Sequence, residues 1–521
     1  MRGDFTRDTF DPRKYFSQVL MQQGRVLLDA DFNEQGSILL HYLRTLARDL
    51  IGPYAAPRDD AGFLLSATGT EITIGAGRYY VDGILVENEA PCLFTEQPNY
   101  RVPKDDALIK IKDTRNQGFW LYLDVWERHI TSLEIDAIRE TALGGPDTCT
   151  RAQVVWQVKW LAVGDEGGYD YNYGYEYGPP CDGPLGDLVV SNPVRLAARV
   201  DPGPKIKDAC ITAPDSKYRG VENQLYRVEI HRGGKVGEAT FKWSRDNGSL
   251  VTSWIDVGGN DLQVANARGF AAGNWVELSD DIGELHGKSG ILVKLVKVES
   301  GVLSLDPSSI PAGGLPVLSE LVNPKVRSWD QAETEDTQLN EGAIPILETP
   351  AGADADKANW IDLEDGVQVA FEAGPAPPNA HEYRAGDYWL IPARVPSGNI
   401  EWPLAEPAGK LALREPRGVV HHYAPLGYVF LNGNELRFKN CSCVFGPLGD
   451  CFNKRGRTFG GHIIGDGQEK VIVNAEPAKV DDSKASEPAV AAAPASAVVK
   501  PPRTPSKRAK GRKTATKQPS E

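Results

Sequence analysis

The chain of 521 residues is 41% hydrophobic and 25% charged, a globular balance that excludes disorder for its body, and its length exceeds one typical core and implies three to four domains. The net charge of −14 hides an asymmetry, because residues 477 to 521 carry ten Lys or Arg against four acidic residues, a tail of +6 beside a body of −20. A body of that sign repels nucleic acid at long range, and no run approaches the roughly 18 to 20 apolar residues that span a bilayer.

Residues 1 to 53 hold the one substantial helix signal. Arg25-Val26-Leu27-Leu28 has the apolar content of a short strand, and Asp29 and Asp31 then offer side-chain oxygens to a helix start, Asp31 with Glu34 in a capping-box-like pair. Leu39, Leu43, Leu46 and Leu50 follow at steps of four, three and four, one apolar seam. Gly52-Pro53 ends the helix. Such a helix of about five turns needs a partner to cover the seam, either another subunit or the first β domain.

After Pro53 the 53 glycines and 37 prolines and the scarcity of helical periodicity predict a mainly β, multi-domain protein of several small sandwich or barrel-like units. In the first β domain, residues 54–164, the strands are Glu71 to Ile74, Tyr79 to Val81 and Ile84 to Val86, with Asp82-Gly83 as hairpin turn. Phe119 to Trp126 and Val154 to Trp160 carry bulky residues on both faces and read as strands buried on both. Residues 165–220 form a Tyr/Gly/Pro-rich insertion in which Tyr169, Tyr171, Tyr173, Tyr175 and Tyr177 alternate with small or polar residues. If extended, they form one row able to stack on sugars or pack on a neighbour, and otherwise a surface loop.

A second β domain spans 221–311, with strands at Gln224 to Ile230, Ala239 to Trp243, Leu250 to Ile255, Asn274 to Leu278 and Ile291 to Val298. Asn247-Gly248 supplies a tight hairpin turn before Leu250. Residues 312–358, rich in Pro, Ala, Glu and Asp, read as a connector with little core. A third β domain, 359–474, has strands at Gly366 to Glu372, Asp387 to Ile391 and Tyr428 to Leu431. From 475 to 521 the Ala, Pro, Lys, Ser and Thr composition predicts a disordered basic tail.

Chemical motifs are few. Asp29-Ala30-Asp31-Phe32-Asn33 copies half of a calcium loop, but Glu34 stands where glycine is needed and Leu40 where glutamate is needed, so the helix-start reading is preferred. Cys441, Cys443 and Cys451, near His421, His422 and His462, are weak zinc candidates with poor spacing, and free or buried thiols are the plainer reading. Seven cysteines are an odd count, and with no signal-peptide run at the N-terminus disulfides are not expected and synthesis is cytoplasmic. Glu127, His129, Glu134, Asp136 and Glu140 have carboxylates enough for glycosidase chemistry, but acidic residues on an exposed connection explain them equally well. No catalytic residue and no cofactor is expected.

The run GDFTRDTFDPRKYFSQVLMQQGRVLLDADFNEQ closely resembles the opening of a domain family of unknown function associated with phage tails and phage-tail-like contractile injection systems. The likeness continues through ARDLIGP, GRYYVDGILVEN, ETALGGPDT, YRVEIH, TFKWSRDNGS, GDYWLIPAR and HHYAPL, most of residues 1 to 445. The resemblance implies a structural component of such a particle, in its baseplate, fibre or outer shell, acting by assembly with other particle subunits, oligomeric there and released with it. The alternative is a glycan- or receptor-binding adhesion module of a tail fibre, suggested by the tyrosine row and eleven tryptophans. A cell-wall-degrading enzyme comes third, without a motif. Nucleic acid is expected to be touched, if at all, through the basic tail.

Overall fold

A computed structural model of the chain describes residues 1–69, 71–103, 106, 108, 118–162, 181, 185–188, 193–203, 217–335, 337–372, 382–432 and 435–446. The protein is mainly β, as its turn density predicts, and the described strands form three bodies nested in sequence.

The outermost body joins the beginning of the chain to its end. Tyr54–Pro57 lies between Gly77–Val81 and Val444–Phe445 in a four-stranded sheet completed by Ile84–Asn88. Gly118–Ile130 pairs with Arg151–Ala162 over twelve residues and with His422–Asn432 on its other edge, and Glu435–Asn440 extends that sheet. Both sheets share a core with the smaller one formed by Leu65–Thr68, Glu71–Ile74 and Cys92–Leu93. Phe63, Tyr79, Leu121, Leu123, Val125, Val158 and Val429 meet there. The opposite face of the long strand, Trp120, Tyr122, Asp124 and Trp126, is buried too, which is the two-sided burial its bulky residues imply.

Inside this frame sits a sandwich. One sheet runs Ile344–Pro345, Thr240–Ser244, Gln224–Arg232, Tyr388–Arg394 and Asn399–Ile400; the other runs Glu348–Thr349, Val367–Glu372, Arg195–Val200 and Leu413–Arg414, with Ile361–Asp362 on Val367–Glu372. Tyr226, Val228, Phe241, Trp243, Phe371 and Trp389 fill the space between them. Within the sandwich is inserted a closed six-stranded barrel of Val251–Gly258, Asp261–Val264, Val302–Leu305, Ile291–Glu299, Trp275–Ser279 and Lys325–Trp329, around Trp254, Leu262, Val276, Val293, Leu303 and Val326.

Four expectations change. Residues 312–358 contain the strand Lys325–Trp329 that closes the barrel, all five residues buried, as well as two sandwich strands. Basic residues alternating with Val326 and Ser328 disguised it, since a sequence reading takes such a face as solvated. The Asn247-Gly248 turn has the expected left-handed backbone, φ 57° and 65°, but the strands on either side do not pair with each other, and the turn carries the chain from sandwich to barrel. Arg25 to Leu28 is not a strand. Finally, Cys181 and Cys441 form a disulfide across 260 residues, against the absence of disulfides inferred from an odd count.

Candidate assembly surface

The N-terminal arm, residues 1–28, begins in a cluster of buried charge between sandwich and barrel. Arg2 donates to both oxygens of Glu229, at 2.5 and 3.2 Å. Arg227 donates to Glu229 at 2.5 Å and to the Met1 carbonyl at 3.2 Å, and Asn247 Nδ2 donates to the Gly3 carbonyl at 2.9 Å. Lys242, wholly buried, donates to Glu277 at 2.6 Å, while its ammonium lies 4.4 Å from the Trp329 ring centre and Trp329 Nε1 closes on Glu277 at 3.0 Å.

Burial pushes the Glu229 carboxyl up, yet Arg2, Arg227 and Lys242 override it and hold the group well below its ordinary value. Glu277 likewise, raised by burial but drawn down by Lys242 and Arg2, settles at about 2. Beside them Lys325 donates to Glu134, Asp281 and Glu284 at 2.7, 2.9 and 2.8 Å. These three carboxylates stand close enough to hold a cation, and the lysine ammonium fills that place. Removing one member of such a set strands the rest in low dielectric.

From Gly3 the arm crosses the sandwich edge. Arg394 donates to the Thr6 carbonyl at 2.9 Å, Arg7 pairs with Glu401 at 3.2 Å, and Asp8 with Arg417. A cleft of about 1170 Å³ lies between this stretch and Leu390, Pro392, Trp402 and Arg414. Arg7, Arg13 and Arg417 meet the cleft's own Glu401, Asp11 and Asp8, and Arg414 stacks 4.9 Å from the Trp402 ring centre.

The arm, not a cap, organises the helix start. Helix Asp29–Ile51 has Leu28 at its N-cap without a side-chain bond. Asp29 accepts instead from the Thr6 N–H and hydroxyl, at 2.9 and 2.5 Å, and Glu34 from the Thr9 hydroxyl at 2.7 Å. Asp29 and Glu34 are thus used to tie the arm down, which overturns the capping-box reading of the Asp31 and Glu34 pair. Gln35 accepts from the Val19 N–H at 2.7 Å.

One face of the helix is locked to the outer body. Ala30 and Ile38 are 1% exposed, Arg44 donates to both oxygens of Glu127 at 2.8 and 2.9 Å, and the Arg44 carbonyl lies against Gly83. The seam faces away. Leu39, Leu43, Leu46 and Leu50 are 60%, 62%, 57% and 59% exposed, so the first β body, one of the two expected partners, does not cover them. Tyr15, Phe16, Leu20, Val26 and Leu27 on the arm are exposed as well. A concentration of exposed apolar residues of this kind marks an interaction surface.

The other candidate residues are placed apart. Glu127 serves Arg44, Glu134 serves Lys325, Asp136 pairs with Arg139 at 2.7 Å, and Glu140 accepts from the Ala142 N–H at 2.9 Å. His129 packs edge-on against Phe5, its Nε2 buried without a partner. Cys441 is in the disulfide, Cys443 is an exposed thiol, and His421 and His422 bond Asp124 and Asp82 at 2.7 and 2.9 Å. That bond removes Cys441 as a zinc thiolate. Cys451, His462, the row from Tyr169 to Tyr177 and the basic tail lie outside the described residues.

Fold and surface together define a mainly β protein of nested bodies that presents an apolar helix face to its surroundings. The chain belongs to DUF6519, a family of unknown function whose model matches residues 1–169 and 190–519. No curated protein and no solved structure matches it.

Proposed function

We propose that the chain is a structural subunit of a phage-tail-like contractile injection particle, which it joins through its N-terminal arm and helix. One observation carries the reading: a helix fixed to the body by Arg44 and the Gly83 turn turns four leucines to solvent. With about three-fifths of each leucine uncovered, the forgone burial is about 1 to 2 kcal/mol for each, a cost that docking in an assembly removes. The likeness of residues 1 to 445 to a phage-tail-associated family supplies the kind of assembly.

Sedimentation of particles from lysed producing cells, followed by mass spectrometry, tests it. The chain is expected to travel at a fixed ratio with sheath and tube proteins, and Leu43→Asp with Leu46→Asp is expected to abolish incorporation while leaving the fold intact. Recovery of the native chain solely as a small soluble species would overturn the assignment. Binding on a glycan array, lost on changing Tyr171, Tyr173 and Tyr175 to alanine, would favour adhesion in its place.

A further inference from the structure

The buried charge at the root of the arm does not balance. Among the described residues every other guanidinium or ammonium side chain of that cluster bonds a carboxylate, Arg128 included, which donates to Asp281 at 2.6 Å and to Glu284 at 3.1 Å. Arg327, 6% exposed, bonds none. One of its terminal nitrogens donates to the Gly248 carbonyl, and its Nε is buried without a partner. Burial, and after it the Arg2 charge, draw this guanidinium down to about 10, which marks a cation that its surroundings under-compensate. Two more donors without acceptors lie at the same place. Gly3 is buried against the Asn247-Gly248 turn, where Asn247 Nδ2 donates to its carbonyl at 2.9 Å, and the Gly3 N–H has no acceptor among the described residues. His129 Nε2 has none either. A Cβ on Gly3 would stand 3.6 Å from His129 Cε1, and one on Gly248 would stand 3.6 Å from Arg327 Cδ. Those are the carbons bonded to the two bare nitrogens, so both nitrogens flank a contact between residues that have no side chains.

We infer that Arg327 Nε, His129 Nε2 and the Gly3 N–H hold a single chloride ion. Three donors and an unmatched positive charge call for an anion. A water accepts two hydrogen bonds, not three, and leaves the charge of Arg327 unmatched. Arg327, Gly3 and Gly248 are all buried, which leaves no path for a carboxylate or phosphate that carries a larger body, and a single negative charge is what one unpaired guanidinium requires. The neutral imidazole of His129 supplies a donor at Nε2 without adding charge. The ion would stand where three parts of the molecule meet: His129 belongs to Gly118–Ile130 of the outer body, Arg327 to the barrel strand Lys325–Trp329, and Gly3 to the arm. Its work is to fasten the root of the arm. This site stands apart from the assembly reading, which does not depend on it.

Halide titration of the full chain tests the inference. The protein is dialysed into sodium gluconate, and sodium chloride then replaces the gluconate at constant ionic strength while the thermal midpoint is followed. A rise that saturates with chloride is expected, since an ion that binds only the folded chain stabilises it by mass action, and bromide should reproduce it. Arg327→Met, which keeps the length of the side chain and removes its charge, should show no such response. Crystals of the native chain grown with bromide give a readout that does not depend on how that variant folds: an anomalous peak is expected within hydrogen-bonding reach of Arg327 Nε and His129 Nε2. A midpoint indifferent to chloride, a rise that Arg327→Met shares in full, or crystals without that peak would each overturn the site. A bromide peak with no chloride response of the midpoint would mean an adventitious ion only, and would overturn it as well.

Discussion

Burial holds His129 and His231 in their neutral forms, and the positive groups around them deepen the effect. Their folded values fall to about 3 for His129, where the N-terminal amine and Arg327 add to burial, and to about 4 for His231, where Lys242 does. Both lie below the ordinary value of roughly 6.5, so on acidification the unfolded chain takes up these protons first. The stability they confer is therefore complete above about pH 6.5 and is lost as pH falls toward the folded values, by about 1.4 kcal/mol per pH unit for each ring. The carboxylates Glu134, Glu229 and Glu277 are depressed and begin their own loss only below about pH 4.3. Urea midpoints should fall between pH 7 and pH 5, and His129→Gln with His231→Gln should make that limb shallower while leaving the part set by the Met1 amine, which burial pushes down to about 4, and the steeper limb below. A pH 5 to 7 slope untouched by both substitutions would refute it. The sequence concealed this cluster: Arg227, Glu229 and His231 alternate with Tyr226, Val228 and Ile230, and an alternating polar face is normally a wet one, whereas here barrel and arm cover it.

At the scale of elements the legible features were those set by local chemistry. The helix stops at Gly52 as Gly52-Pro53 requires, and most strands fall where apolar alternation puts them. The helix start was misread because Asp29 and Glu34 reach across to Thr6 and Thr9, partners more than twenty residues away that no local pattern discloses. Asp82-Gly83 forms the predicted hairpin, φ 49° and 81°, and also does what its spacing does not announce: it is the seat of the helix. A Cβ on Gly83 would lie 2.1 Å from the Arg44 carbonyl oxygen. Gly83→Ala therefore combines a strained left-handed backbone with a clash the helix relieves by lifting. We expect a loss of about 1–3 kcal/mol, with faster amide exchange along Asp29–Ile51 and faster trypsin cleavage after Arg44 and Arg48, while Gly118–Ile130 keeps its protection. Unchanged exchange along the helix would show that the turn does not seat it.

On the scale of the whole molecule the strands pair across the boundaries that composition suggests. A serial reading divides the chain into β segments at 54–164, 221–311 and 359–474, yet Gly118–Ile130 lies between Arg151–Ala162 and His422–Asn432, and Gln224–Arg232 between Thr240–Ser244 and Tyr388–Arg394. Which distant strands meet is a matter of register and shared core, and hydrophobic period carries neither. Nesting has a consequence for folding: the outer body and the sandwich each wait for strands made late, whereas the barrel, continuous from Val251 to Trp329, has every strand it needs. A chain ended at residue 358 lacks Val367–Glu372, Tyr388–Arg394 and His422–Asn432, which removes the central neighbour in three sheets and opens two cores. Trypsin digestion of that truncated chain should leave one resistant fragment, spanning the barrel, and no resistant fragment from 54–164. The intact chain under the same digestion should keep all three bodies. Survival of 54–164 on its own would mean that the first segment folds without the end of the chain, and the nested order would then describe how the bodies are connected and not how they are stabilised.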